Sequence, residues 1–156
     1  MNDSIAIQDL VTRMLFAVDV LDWAGVRATF ADEVHVDYTS LFGGNPERLP
    51  ADELIERWKG LLPGFAGTQH LTGPIVVTLG GANEAVAETH VRAYHYFDGA
   101  SGGTWMVAGH YTIPVRKEAG GWCITGIRLA LIRQEGNVDL ATVAAAARDG
   151  SKRSAR

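Results

Sequence analysis

The chain has 156 residues, 47% of them hydrophobic and 21% charged, with a formal net charge of -4. That length suits one domain with a real core. The mild acidity argues against a general nucleic-acid footprint, and no apolar run is long enough to cross a bilayer. Cys123 is the only cysteine, so an internal disulfide and a cysteine-based zinc site are both excluded. Acidic Asp3 and polar Gln8 stand where a signal peptide needs a basic start and an apolar stretch, and a cytoplasmic location is expected.

Ser4 to Leu21 has the period of an amphipathic helix. Ile7, Val11 and Leu15 form one row, with Leu10, Met14, Val18 and Leu21 alongside. Asp19 continues that row. A carboxylate at the end of an apolar stripe either marks the solvated end of the helix or points into a cavity, and the helix pattern leaves both open. Asp22 precedes a short helical segment, Trp23 to Phe30, and is placed to cap it. Glu33 to Thr39 alternates as a half-buried strand with Val34, Val36 and Tyr38 on its apolar face. A core tyrosine is the bland reading of Tyr38.

Ser40 to Leu49, with Gly43, Gly44, Asn45 and Pro46, reads as a loop. Pro50 to Leu62 is predicted to be a helix that buries Leu54, Ile55, Trp58, Leu61 and Leu62. Thr68 to Gly80 is predicted to be a strand bent at Gly73-Pro74, with His70 near its start. Glu84 to Phe97 is a long alternating strand. Ala85, Ala87, Thr89, Val91, Ala93 and His95 share one face, while Glu88, His90, Arg92, Tyr94 and Tyr96 share the other. His95 is therefore expected inside and His90 outside. Strands over Thr104 to Lys117 and Trp122 to Arg133 follow through glycine-rich turns. In the first of these Val107, Gly109, Tyr111, Ile113 and Val115 share a face, but alternation does not say which face is inside. Cys123, between Trp122 and Ile124, reads as a structural thiol. A final helix is expected from Val138 to Arg148, and a disordered basic tail over 150–156.

This order of elements predicts a single α+β domain over residues 1–149, with a strongly curved, mostly antiparallel sheet wrapped around N-terminal helices and one ligand pocket inside the cone. The five histidines show no HExxH spacing, and a two-histidine, one-carboxylate metal site is the weaker reading.

Four stretches resemble a known family: Asp19-Val20-Leu21-Asp22-Trp23, Val36-Asp37-Tyr38, Thr68-Gln69-His70 and Arg92-Ala93-Tyr94-His95. In order and spacing they resemble scytalone dehydratase, within the SnoaL-like proteins of the nuclear-transport-factor-2-like superfamily. The resemblance spans roughly residues 5 to 149. It implies a cone-shaped α+β barrel and a pocket lined by Asp19, Tyr38, His70 and His95. It further implies an elimination of water from a cyclic hydroxy-ketone that uses neither cofactor nor metal. A histidine would remove the proton beside the carbonyl, the aspartate would orient a histidine, and tyrosine would polarise the carbonyl.

The chain departs from the family at three polar positions. Val18 stands where the dehydratase carries a second tyrosine, and Ile113 and Val115 replace a pocket serine and asparagine. These substitutions, with Val91 in the apolar row before His95, imply a more hydrophobic substrate, such as a polyketide, terpenoid or steroid of secondary metabolism. An isomerase or cyclase in the same pocket, or a non-catalytic small-molecule-binding module, is the alternative. The fold also implies self-association as a dimer or trimer through the outer sheet face near Tyr94 and Tyr96, a final helix closing the pocket mouth, and no nucleic-acid or membrane partner.

Overall fold

The computed structural model describes residues 2–98, 102–142 and 144. Helix α1 (Asp3–Asp19) starts where the Asn2 side chain accepts from the Ser4 N–H at 2.9 Å. It buries Ile7, Val11, Met14, Leu15 and Val18. Side chains tie it to the sheet at its N-terminal end. Asp3 accepts from Trp122 Nε1 at 3.0 Å and Lys117 Nζ at 2.9 Å, and Gln8 Nε2 donates to the Ile75 carbonyl at 2.8 Å.

The helix closes two residues earlier than its periodicity predicts. Leu21 takes a left-handed φ of 56°. Its N–H bonds the Val18 carbonyl, and the Asp22 N–H reaches back to that of Ala17 at 2.9 Å. This is a Schellman closure with leucine in the position glycine usually fills. Asp22 then caps α2 (Trp23–Thr29), accepting from the Gly25 N–H at 2.9 Å, as its position predicts.

Strand β1 (Phe30–Asp37) follows directly. The stretch expected to be a plain loop contains two short elements, helix α3 (Thr39–Phe42) and strand β2 (Glu47–Pro50). Gly43 and Gly44, at φ of 72° and 80°, turn the chain between them. Strand β2 has little alternation of its own. It is an edge strand because β1 offers a free antiparallel partner, with Val36 opposite Glu47 and Glu33 opposite Pro50. Helix α4 (Ala51–Leu61) then buries Leu54 and Ile55, with Asp52 and Glu53 favourably placed in its first turn.

The rest is sheet: β3 (Gly67–Thr72), β4 (Val76–Leu79), β5 (Glu84–Phe97), β6 (Gly103–Glu118) and β7 (Gly121–Gly136). The bend expected at Gly73-Pro74 separates β3 from β4, and both pair antiparallel with β5. The spatial order is β2-β1-β7-β6-β5-β3, and only β1 with β7 is parallel. The mixed sheet curves but does not close into a barrel. Two register shifts between β6 and β7 each place an extra residue in β7 and sharpen the curvature. At the first of these a Cβ on Gly109 would fall 2.6 Å from the Ala130 carbonyl oxygen, so only glycine fits.

The inner face of the sheet and the helices share one core, which includes Ile7, Val11, Val34, Leu54, Ile113 and Ile124. Burying an aliphatic side chain of this kind stabilises the fold by about 1.5–3 kcal/mol. On β5 the alternation holds throughout: Ala85, Ala87, Thr89, Val91, Ala93 and His95 are buried. On the outer face the Tyr94 and Tyr96 rings stack at 6.2 Å, and His90 meets His110 across the strands at 4.2 Å.

Cys123 is half-buried and donates to the Arg116 carbonyl at 3.2 Å. Burial raises its pKa, which suits a structural thiol. Residues 140–142 and 144 are helical, and Leu140 is fully buried. Most of the expected final helix, and the tail over 150–156, lie outside the described residues. Among the described residues no helix is long and apolar enough to cross a membrane.

Candidate functional site

A cavity of about 370 Å³ lies between α1, α3, α4 and the inner face of the sheet. Its apolar walls include Met14, Leu15, Val18, Leu54, Trp58 and Leu129. His70, His95, Tyr38 and Tyr111 bring polar groups to it, while Asn45, Glu47 and Arg57 also border it. Arg57 is already paired with Glu47 at 2.6 Å and Glu53 at 2.7 Å, which occupies its charge.

The row Ile7, Val11, Leu15 does continue to Asp19, the last residue of α1, and it faces the sheet beside β3. Thr68 and His70 point the same way from β3, two residues apart. Asp19 accepts three hydrogen bonds: from Thr68 Oγ1 at 2.9 Å, from the His70 backbone N–H at 2.7 Å and from His70 Nδ1 at 2.6 Å. Burial works against its charge. The bonds from His70 and Thr68, with the charge of His70, outweigh that cost and hold the carboxyl below its usual range. An ionised carboxylate only accepts, so Nδ1 of His70 carries a hydrogen, and in the neutral ring Nε2 is the acceptor. Asp19 itself sits behind His70 and not at the cavity wall.

His95 comes from β5, directly opposite Trp105 of β6 and Thr68 of β3. Its ring stacks on Trp105 at 4.4 Å and packs on Phe65 at 5.0 Å. Trp105 is held in turn by its Nε1 donating to Gln134 at 2.8 Å. His95 Nδ1 lies 3.2 Å from the Trp105 carbonyl oxygen, an acceptor, so here too Nδ1 carries the hydrogen. The residue is 6% exposed. Burial first, and then the charge of His70, push its pKa down to about 4. His95 is a neutral acceptor near pH 7, its ring 6.3 Å from that of His70. Tyr38, just past β1, packs edge-on against Phe42 of α3 at 6.4 Å, and burial raises its pKa.

The structure thus brings Asp19, His70, His95 and Tyr38 together. Of the residues expected to hold substrate, Val18 lines the cavity. Ile113, Val115 and Val91 do not. Ile113 and Val115 lie opposite Ala87 and Ala85 on β5, and Val91 lies opposite Gly109. All three are core residues at most 2% exposed and are absent from the cavity lining. Two aromatic residues that alternation left unassigned, Trp105 and Tyr111, do line it. Their signal was the strand register: once His95 is inside, Trp105 opposite it must be, and Tyr111 shares its face. Among the described residues no group of three or more His, Cys, Asp or Glu side chains could hold a metal ion.

The fold is an open α+β cone whose cavity is lined by His70 with Asp19 behind it, and family comparison places it. The SnoaL-like domain matches residues 1–128, and the chain belongs to that family. A scytalone dehydratase-like protein from Claviceps purpurea is 29% identical over 139 residues, covering 81% of this chain and 85% of its own. A crystal structure of a Kribbella flavida protein superposes with a TM-score of 0.84 at 26% identity, covering 90% of this chain and 97% of that one. Hexachlorocyclohexane dehydrochlorinase LinA-type3 from Novosphingobium barchaimii superposes at 0.68 with 16% identity, covering 85% and 88%, a likeness of fold.

Proposed function

We propose that this chain is a lyase that removes water from a hydrophobic cyclic hydroxy-ketone, with His70 as its proton-transfer group. The observation that carries this reading is the Asp19–His70 contact at 2.6 Å, which puts a hydrogen on Nδ1 of a cavity-lining histidine, so that the neutral ring acts as a base through Nε2. Nε2 takes the proton from the carbon beside the ketone. The C–H electron pair moves toward the carbonyl, whose oxygen becomes an enolate. Asp19 offsets the positive charge formed on His70. The enolate then collapses, the bond to the hydroxyl breaks, and the departing hydroxide takes the proton back from Nε2 as water. One histidine thus serves as base and then as acid.

His95 suits a different role from the one expected of it. With Nδ1 bonded to Trp105 and its pKa near 4, it has no proton to give at neutral pH. Its Nε2 accepts a hydrogen bond from the substrate hydroxyl and orients the leaving group. The apolar walls favour a substrate with few polar atoms beyond these two oxygens. Two relatives named for eliminations, a dehydratase-like protein and a dehydrochlorinase, add support.

The test uses 3-hydroxy-1-tetralone, which loses water to give 1-naphthol, followed by product fluorescence. Turnover by the wild type, with a loss of about 100-fold or more in His70→Ala at unchanged thermal melting, is expected. Equal rates in both proteins would refute the assignment. Exchange of the protons beside the ketone in D2O without naphthol formation would favour an isomerase over a lyase.

A further inference from the structure

His95 is oriented by one residue, and that residue is held by another outside the cavity. Trp105 makes both contacts that set the imidazole. Its indole stacks on the ring at 4.4 Å with 28° between the planes, and its carbonyl oxygen lies 3.2 Å from Nδ1. The stack sets the plane of the ring. The carbonyl selects the nitrogen that carries the hydrogen, so Nε2 is the one left to accept. Phe65 packs at 5.0 Å from His95 and 6.4 Å from Trp105, but an apolar contact does not distinguish one ring nitrogen from the other.

The indole must itself be held. The torsion that turns its ring is broad and roughly two-fold. The observed orientation is marked by a polar contact: Nε1 donates to Gln134 Oε1 at 2.8 Å. Trp105 is 2% exposed, so an indole turned the other way loses that partner and gains no water in exchange. Gln134 is half-buried on β7, opposite Val107, and is not part of the cavity lining. The end of β7 is pinned close by. The Asn137 N–H donates to the Thr104 carbonyl at 2.9 Å, and Gly136, at φ of 82°, stands where a Cβ would strike the same carbonyl. A fixed strand end thus delivers the acceptor to the indole.

We propose that Gln134 is a positioning residue: it fixes the Trp105 indole and, through it, the ring plane and tautomer of His95. Gln134 touches no ligand and moves no proton. Its effect on rate rests on the elimination reading, in which His95 Nε2 orients the leaving hydroxyl. Its effect on the imidazole does not need that reading.

The test reads His95 directly. Ring 15N shifts of the ligand-free wild type near neutral pH should show His95 in a single tautomer with its hydrogen on Nδ1. Gln134→Leu removes the acceptor. The Trp105 indole N–H resonance should move, and the His95 nitrogens should shift toward the average of a tautomer mixture. Those of His70, held by Asp19, should stay in place. Gln134→Glu supplies an acceptor again and should restore the His95 pattern. Gln134→Met, of similar length, takes the place of Gln134→Leu if that variant does not fold. With 3-hydroxy-1-tetralone, Gln134→Leu should lower kcat about 10- to 100-fold, the cost of a misplaced group, with little change in KM, and Gln134→Glu should recover the rate. A glutamine that only satisfies the indole would lower the melting temperature and leave the His95 shifts and kcat as they are, and that result would overturn the proposal. A wild-type His95 with its hydrogen on Nε2, or no recovery in Gln134→Glu, would overturn it as well. If the nitrogens respond as expected while the wild type does not dehydrate the tetralone, the positioning role stands and the elimination falls.

Discussion

Acid should destabilise this fold through His95, by an amount the structure sets. In the unfolded chain an imidazole takes its proton near pH 6.5, whereas in the native state burial delays protonation of His95 to about pH 4. Between those values the unfolded chain binds the extra proton, so stability is lost as pH falls. The stabilisation is fully present above pH 6.5. It declines by about 1.4 kcal/mol per pH unit through the window, or roughly 3 kcal/mol from pH 7 to pH 4. For a domain whose whole stability is on the order of 5–15 kcal/mol, that is a large share. Replacing the ring by a non-titrating side chain, His95→Gln, removes this component while leaving every other titrating group in place. Urea melts of both proteins at pH 7, 6, 5 and 4 give the two slopes. The wild type should lose about 3 kcal/mol more than the variant across that range, whatever the variant's own stability at pH 7. Parallel slopes would show that His95 titrates alike in both states, and the neutral, acceptor-only role drawn from its burial would fall with them.

Other substitutions probe other parts of the structure. Asp19→Asn puts an amide where three donors converge, so one N–H must face another. His70 should change tautomer or orientation, seen in its ring 15N shifts, and turnover should fall about 10²–10⁴-fold. Unchanged nitrogen shifts would contradict the pairing. His90→Ala lies on the outer face and should leave turnover unaltered and stability within about 0.5 kcal/mol, checked by rate and thermal melt. A lost site there would place β5 the wrong way round. Leu21→Gly relieves a left-handed φ of 56° at the end of α1 and should raise stability by about 0.5–1 kcal/mol in the same melts. A lower melting temperature would mean that Leu21 packing outweighs its backbone strain.

Much of this molecule is legible in its residues because local patterns report local geometry. The alternation of Glu84–Phe97 put the row from Ala85 to His95 on the inner face of β5 and His90 on the outer one, as found. Asp22 announced its cap, and Gly73-Pro74 announced the break between β3 and β4. Long-range pairing is different. Strand β2 exists because β1 has an open edge, and nothing within Glu47–Pro50 alone demands a strand. Ile113 and Val115 were expected at the pocket because they stand where a relative is polar. Both instead lie buried in the core and outside the cavity lining, where core packing and not substrate determines what fits.

The sequence by itself determined the α+β order and the inward row of β5. Its helix pattern left Asp19 open between solvent and cavity, and only the family resemblance favoured the inside, because a helix stripe states a direction but not what lies there. Only the tertiary structure brought Thr68 and His70 to that carboxylate, set His95 against Trp105, and put Tyr111 and Tyr38 on one cavity. Each of these contacts joins residues far apart in the chain through sheet register, and register is settled by the whole packed sheet.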